Sequence, residues 1–556
     1  MTATTSDAGL KPRDLVDLIH PTHVRVSPSA SHVIYAAAPR GKKDEHIKSS
    51  LWLGEVAAEH SARQLTSGTY NDQMPQWCPT DDKTIAFVSD RGEVGKASAV
   101  HVMNVAGGEP YAVTAASNKR GISSFSWSPN GKFIAYASAD EKTPEQERKE
   151  KEKDDVEVHG EDLAYARLRI LNVDTRESKV LYTADEHVSG FGWSPDSKQI
   201  VFATVNIPDS DSPDNEPTHF KIVDLASSKV VSSMEFPGGI NAGPVWGSDD
   251  ILFLAGVTIE RNGSSQAVYR AQVDNSASPY SLCTEECRGV DRCAAGLRQS
   301  GSLTSVKVEH NMLDEIEVLS RTSSSSDILK AQTHWSQAQH LADFDAIRSN
   351  EKIVCALVLS DASSPKEVFT KAAGATKPIQ ISTHGTVLSK HEFGNSTQIQ
   401  ALCYGETSVY ADGYYVRPVG APSHKPLPTF VNIHGGPYMR QTITFEAGGY
   451  GWTPYLVNAG YGILVTNYRG NSSKGDDYTK PSDGQVGTVE YEDILALVQK
   501  GVDDGFIDPE HIVVGGWSQG GFLTYLSAVR NGAAELPDGR KKTWRFKGAI
   551  AGAGVT

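Results

Sequence analysis

At 556 residues the chain is too long for a single hydrophobic core, so at least two domains are expected. Apolar residues make up 39% and charged residues 22%, the balance of an ordinary globular protein. The net charge of −15 argues against nucleic acid as a partner, because phosphates call for clustered Lys and Arg, and it disfavours an anionic membrane surface.

The first residues, Met1 to Asp7, carry neither a basic stretch nor an apolar one, so no signal peptide is read. No apolar run reaches the roughly 18 residues that span a bilayer. Six cysteines are too few for a disulfide scaffold and suit a reduced cytoplasm, which is the location expected. The sequons at Asn262, Asn395 and Asn471 carry no meaning without a secretory route.

A repeat then organises the first two-thirds. Trp77-Cys78-Pro79, Trp127-Ser128-Pro129-Asn130-Gly131 and Trp193-Ser194-Pro195-Asp196-Ser197 each run into a β-rich stretch. Weaker copies begin at Val26-Ser27-Pro28 and at Trp246-Gly247-Ser248-Asp249. An aromatic closes one strand, Pro opens a turn, Asn-Gly or Asp-Ser supplies left-handed positions, and the next strand follows. One copy would mean only a hairpin. Five copies spaced by about 50 residues predict propeller blades of four short strands. The signal blurs after about residue 260, where Val268 to Val273 and Ile353 to Leu359 still read as strands. Seven blades filling residues 1–385 are expected. One longer step holds the charged insertion 140–162, which reads as a solvated helix or loop. Cys283, Cys287 and Cys293 cluster, but no fourth zinc ligand stands at suitable spacing, so no metal is called.

From 386 to 556 the pattern changes to alternating strands and helices, an α/β-hydrolase domain with a mostly parallel sheet. Pro428 to Ile433 is a strand that delivers His434-Gly435-Gly436-Pro437, and Gly462 to Asn467 is another. Glu490 to Lys500 reads as a helix. His511 to Gly515 is a strand running into Gly516-Trp517-Ser518-Gln519-Gly520-Gly521, with a helix over Phe522 to Val529 and a last strand over Phe546 to Ala551. Gly516-x-Ser518-x-Gly520 between strand and helix marks a nucleophile elbow, where a tight turn holds the serine hydroxyl exposed. A merely structural serine is the plainer alternative. The backbone N–H of Gly436 and that of Gln519 are the expected oxyanion donors, with His434, Gly435, Pro437, Gly516 and Gly520 shaping the two loops. A simple Gly-Pro turn is the plainer reading of the first loop.

These motifs, behind this repeat, resemble the prolyl oligopeptidase family of serine peptidases, and the His-Gly-Gly-Pro form looks most like its acylaminoacyl-peptidase and dipeptidyl-peptidase V branches. The resemblance covers essentially the whole chain, including the insertion after Ala139 and Tyr468-Arg469-Gly470. It implies hydrolysis of short peptides, releasing acylated residues or dipeptides, with the propeller excluding folded proteins. It implies no cofactor and leaves a homo-oligomer open. Glu285-Glu286 could anchor a peptide ammonium, as paired glutamates do in related dipeptidyl peptidases, but their irregular surroundings favour a solvated pair. Trp452, Tyr455, Tyr468 and Phe522 suit either a specificity pocket or core packing.

Serine needs a histidine to take its proton and a carboxylate to orient that histidine, in the order Ser, acid, His in this fold. After Ser518 stand one aspartate, Asp538, and no histidine. His511 begins the strand that ends at the serine, roughly 17 Å away. The reading is therefore a serine peptidase, C-terminally truncated and inactive as written, with the strand near Ala549-Ile550 exposed as an aggregation-prone sheet edge. A truncated gene product is favoured over an evolved pseudoenzyme. The rival from another class is a non-catalytic propeller scaffold carrying a vestigial hydrolase.

Overall fold

The structure, a computed structural model, describes residues 9–554 apart from 41–44, 115–119, 157, 159, 209–215, 248–249, 262, 273–279, 284–290, 322–328, 424 and 447–451. Ser248, Asp249, Asn262, Glu285, Glu286 and Cys287, singled out above, lie outside the described residues.

Seven four-stranded antiparallel sheets follow one another from Ile19–Val26, the first strand of blade one, to Ile379–Gln380, the last strand of blade seven. Each blade uses four consecutive strands in simple order, so among the described residues no strand crosses between blades. At two of the copies the repeated tryptophan ties its blade to the one before. Trp77 donates through Nε1 to the Arg25 carbonyl at 3.1 Å, and Trp193 to the Ser126 carbonyl at 3.2 Å. The serine of the repeat closes the turn: Ser128 Oγ accepts from the Phe133 N–H, and Ser194 Oγ from the Gln199 N–H, both at 2.9 Å. These bonds explain why Trp and Ser recur at the same slots.

The ring closes where blade one meets blade seven. There Val24 and Val26 donate backbone N–H groups to Asp343 and Asp345 at 3.0 and 2.8 Å, over a shared apolar layer that includes Tyr35, Ala356 and Val358. The charged insertion forms the helix Pro144–Glu152, capped by Thr143 and with no buried residue, in keeping with a solvated face.

The second unit is a six-stranded sheet. Its spatial order is Gly394–Leu402, Tyr410–Pro418, Gly462–Asn467, Leu427–Ile433, Ile507–Trp517 and Phe546–Gly552. The last three pairings are parallel and the first two antiparallel. All six residues of Gly462–Asn467 are buried, as a strand covered on both faces requires. On one face Ile494, Leu497 and Val498 of the helix Val489–Asp503 pack over Val431, Leu464 and Val514. On the other, Val457 packs over Tyr414, Phe430 and Ile463.

The segment before blade one packs against this second unit. Leu10, Leu15 and Leu18 form a cluster with Leu388, Phe393 and Phe445, and Leu10 donates its N–H to Asn458 Oδ1 at 3.2 Å. Among the described residues no helix is long and apolar enough to cross a membrane.

Candidate active site

The elbow is a tight turn between a strand and a helix. Strand Ile507–Trp517 ends at Ser518, whose backbone sits at φ 56°, ψ −125°, and the helix Gln519–Val529 begins on the next residue. A serine in that region is strained and must be held there. Hydrogen bonds hold it on both sides: the Ser518 N–H donates to the Gly552 carbonyl, and the Phe522 N–H to the Ser518 carbonyl, each at 3.0 Å.

Glycine is forced at the crossings around it. A Cβ on Gly520 would lie 2.3 Å from the Ile433 carbonyl oxygen, and one on Gly516 would lie 2.5 Å from the same atom. A Cβ on Gly435 would come within 3.3 Å of Ser518 Cβ. The strand ending at Ile433 can thus press its loop onto the elbow only because these side chains are missing. Gly436 follows at φ 125°, a conformation that favours glycine.

Both loops open into one cavity of about 550 Å³, lined by Ser518, Gly516, Gly435 and Gly436. Neither the Gly436 N–H nor the Gln519 N–H donates to another described group. Ser518 Oγ likewise makes no hydrogen bond to a described residue. Pro437 continues the loop outside the cavity lining.

His434 holds the loop from below. Its buried ring stacks on Tyr468 at 4.3 Å between centroids and 10° between planes, and Nδ1 lies 2.6 Å from the Gly435 carbonyl. Tyr468 donates its hydroxyl to the His434 carbonyl at 2.8 Å. Burial brings the His434 pKa down to about 4, against the opposing pull of its bond to Gly435. The neighbouring Arg469 anchors this support. Its guanidinium makes a two-point bond to Asp493, and its own N–H donates to the same carboxylate, at 2.8 to 2.9 Å.

The aromatic candidates turn out to be packing groups. Tyr468 is fully buried, Trp452 stacks edge-on against Phe430, and Phe522 lies against the sheet core. None of them, nor the exposed Tyr455, lines the cavity. His511 is exposed, with Nδ1 2.8 Å from Asp508 Oδ2, within the strand Ile507–Trp517 that leads to Ser518. Among the described residues no group of His, Cys, Asp and Glu is arranged to hold a metal.

Residues that no motif signals complete the cavity. The propeller contributes His20 and Arg40 from blade one, and His340 and Lys366 from blade seven. The loop after Pro437 adds Arg440 and Glu446. They come from opposite ends of the chain and share no local pattern, so only the closed ring brings them together.

Three of these linings are histidines held neutral. Burial lowers His20 to about 4, with Lys366 and Arg40 adding to it, and lowers His340 to about 3. With His434 they sit below the ordinary value of about 6.5, so the unfolded chain binds more protons in the window between. Their contribution to stability is complete above pH 6.5 and is lost as the pH falls towards 4. Glu446, raised by burial above the usual carboxylate range, acts in the opposite sense, as one group against three. The urea midpoint should therefore drop between pH 7.5 and pH 5.0, and His20→Gln should make that drop shallower. An unchanged midpoint would contradict the neutral histidines.

Residues 449–556 match the prolyl oligopeptidase family. The uncharacterized peptidase YuxL of Bacillus subtilis (strain 168) is 23% identical over 534 residues, covering 92% of this chain and 78% of that protein. The acylamino-acid-releasing enzyme of Arabidopsis thaliana is 36% identical over 97 residues, 17% of this chain and 12% of that enzyme. The Pyrococcus horikoshii acylaminoacyl peptidase (orthorhombic crystal form) superimposes with a TM-score of 0.69 at 14% identity, over 94% of this chain and 76% of that one, a likeness that bears on the fold. With a propeller of seven blades before it and the elbow inside it, the segment 449–556 belongs to the prolyl oligopeptidase family.

Proposed function

We propose that this site performs acyl transfer on short peptides, with Ser518 as the nucleophile and the N–H groups of Gly436 and Gln519 as the oxyanion hole. Release of an acylated residue or of a dipeptide is the chemistry assigned, as in the acylaminoacyl-peptidase and dipeptidyl-peptidase V branches. The observation that carries this is the strained Ser518 facing the Gly435-Gly436 loop across one cavity. Oγ would attack the peptide carbonyl, and the oxygen that gains the charge would sit before two free N–H donors. His434, Gly435, Gly516 and Gly520 serve by letting the two loops approach. We assign the protein to the cytoplasm, consistent with the free cysteines Cys78, Cys293, Cys355 and Cys403.

The proton of Oγ must go to a base, and no described histidine accepts it. His340 Nδ1 is held by Thr442 Oγ1 at 2.9 Å, His434 by the Gly435 carbonyl, and each of the lining histidines is a poor base. We therefore assign these 556 residues nucleophile and oxyanion hole without an efficient base.

A peptide boronate tests the site without needing turnover. Boron accepts a lone pair from Oγ, the serine proton passes to solvent, and the tetrahedral boronate oxygen occupies the oxyanion position. Acetyl-alanyl-alanine boronic acid should bind saturably, and Ser518→Ala should weaken it at least a hundredfold by calorimetry. Equal binding to both proteins would leave the scaffold reading in place of the hydrolase.

A further inference from the structure

Three cations and one carboxylate line the cavity that holds Ser518: Arg40, Lys366 and Arg440 against Glu446. Two of the cations are already matched. Arg440 is clamped by Asp314 and by Glu309 at 3.2 Å, and donates to the Asn311 carbonyl at 2.8 Å. Arg40 holds Glu446 at 2.5 Å. Lys366 remains.

Lys366 sits in the turn between the strands Lys352–Ser360 and Glu367–Lys371 of blade seven. It makes no hydrogen bond or ion pair with any described residue. Burial lowers its pKa, and Arg40 adds to that effect while Glu446 opposes it, so all three charges stand near one another. A half-buried ammonium without a partner is costly, and a ligand carboxylate would remove that cost. The surroundings sharpen the point: in a chain of net charge −15, this cavity carries an excess of positive charge. A concave, low-dielectric wall with an excess of positive charge concentrates anions. The volume of about 550 Å³ admits a ligand the size of a short peptide.

We propose that Lys366, with Arg40 beside it, forms an anion subsite that binds a carboxylate of the peptide whose carbonyl is presented to Ser518. The inference rests on the acyl-transfer reading and adds a substrate class to it: short peptides that carry a free C-terminal carboxylate or an acidic side chain.

Binding of three peptides tests it: trialanine with a free C-terminus, its C-terminal amide, and Ala-Ala-Glu amide. The free acid should bind at least tenfold more tightly than the trialanine amide. Lys366→Met should abolish that difference and leave the amide within twofold, whereas Lys366→Arg should retain it. Tight Ala-Ala-Glu amide assigns the site to side-chain carboxylates as well, and weak Ala-Ala-Glu amide assigns it to the C-terminus. Equal affinity of acid and amide in the unaltered chain, or a difference that survives Lys366→Met, overturns the subsite. The neutral boronate separates the two readings, since Lys366→Met should still capture it. Failure of boronate capture in the unaltered chain sinks the acyl-transfer reading, whereas capture with no preference for acid over amide sinks only the anion subsite.

Discussion

A polypeptide of these 556 residues should hydrolyse acetyl-alanyl or dipeptidyl p-nitroanilides no faster than its Ser518→Ala variant. The geometry around the hydroxyl is the reason. Ser518 Oγ meets no described hydrogen-bond acceptor. The histidine ring at the root of the oxyanion loop, His434, is stacked on Tyr468 and kept neutral down to about pH 4 by burial. A serine hydroxyl without a base is a weak nucleophile, and removing the base from a working triad lowers turnover by about a million-fold. What survives such a loss is the modest acceleration from binding and the oxyanion hole. The check is a progress curve at millimolar substrate for both proteins. Turnover at triad rates that disappears in Ser518→Ala would show a base acting here that the packing of His20, His340 and His434 does not offer.

Replacing Asp493 by alanine should destabilise the hydrolase unit by about 3–5 kcal/mol, because the change strands a buried guanidinium. Asp493 is fully buried, and it accepts from Nε, Nη2 and the backbone N–H of Arg469. Among the described residues only Glu406, at 3.3 Å from Nη1, would remain as a partner of the guanidinium. The damage should reach the site. Arg469 follows Tyr468, and Tyr468 supports the His434 carbonyl at the root of the oxyanion loop. Denaturant unfolding should show the loss, and boronate affinity should fall with it. Asp493→Asn retains an acceptor for Arg469 and should cost less. A loss under 1 kcal/mol for alanine would mean that water replaces the carboxylate, and the loop would then need another support.

Much of this architecture was legible because it rests on local rules. The blades with Trp77, Trp127 and Trp193 announce themselves through a recurring turn, in which Trp77 and Trp193 bond to the preceding blade and Ser128 and Ser194 close the turn. Blades six and seven fall silent for a physical reason. Their opening hairpins replace that turn with two-residue connections, around Gly301 at φ 60° and around Asn350 and Glu351 at φ 48° and 61°. A tight turn of this kind needs no Trp-Ser-Pro, so the repeat disappears while the fold continues. The elbow was equally readable, since Gly516, Gly520 and Gly435 are demanded by carbonyls and a serine that chain order alone places opposite them.

The sequence by itself determined the propeller, the direction of the sheet and the identity of the candidate nucleophile, because strand period, turn chemistry and steric need act over a few residues. Tertiary structure alone decided what faces that nucleophile. Closing the ring brings blade one against blade seven, and so sets Arg40 and Lys366 around the same cavity as Ser518 although hundreds of residues separate them. It also made packing groups of Tyr468 and Trp452, which their residue types left undecided. Charge and burial are sums over every neighbour in space, and no local pattern encodes them.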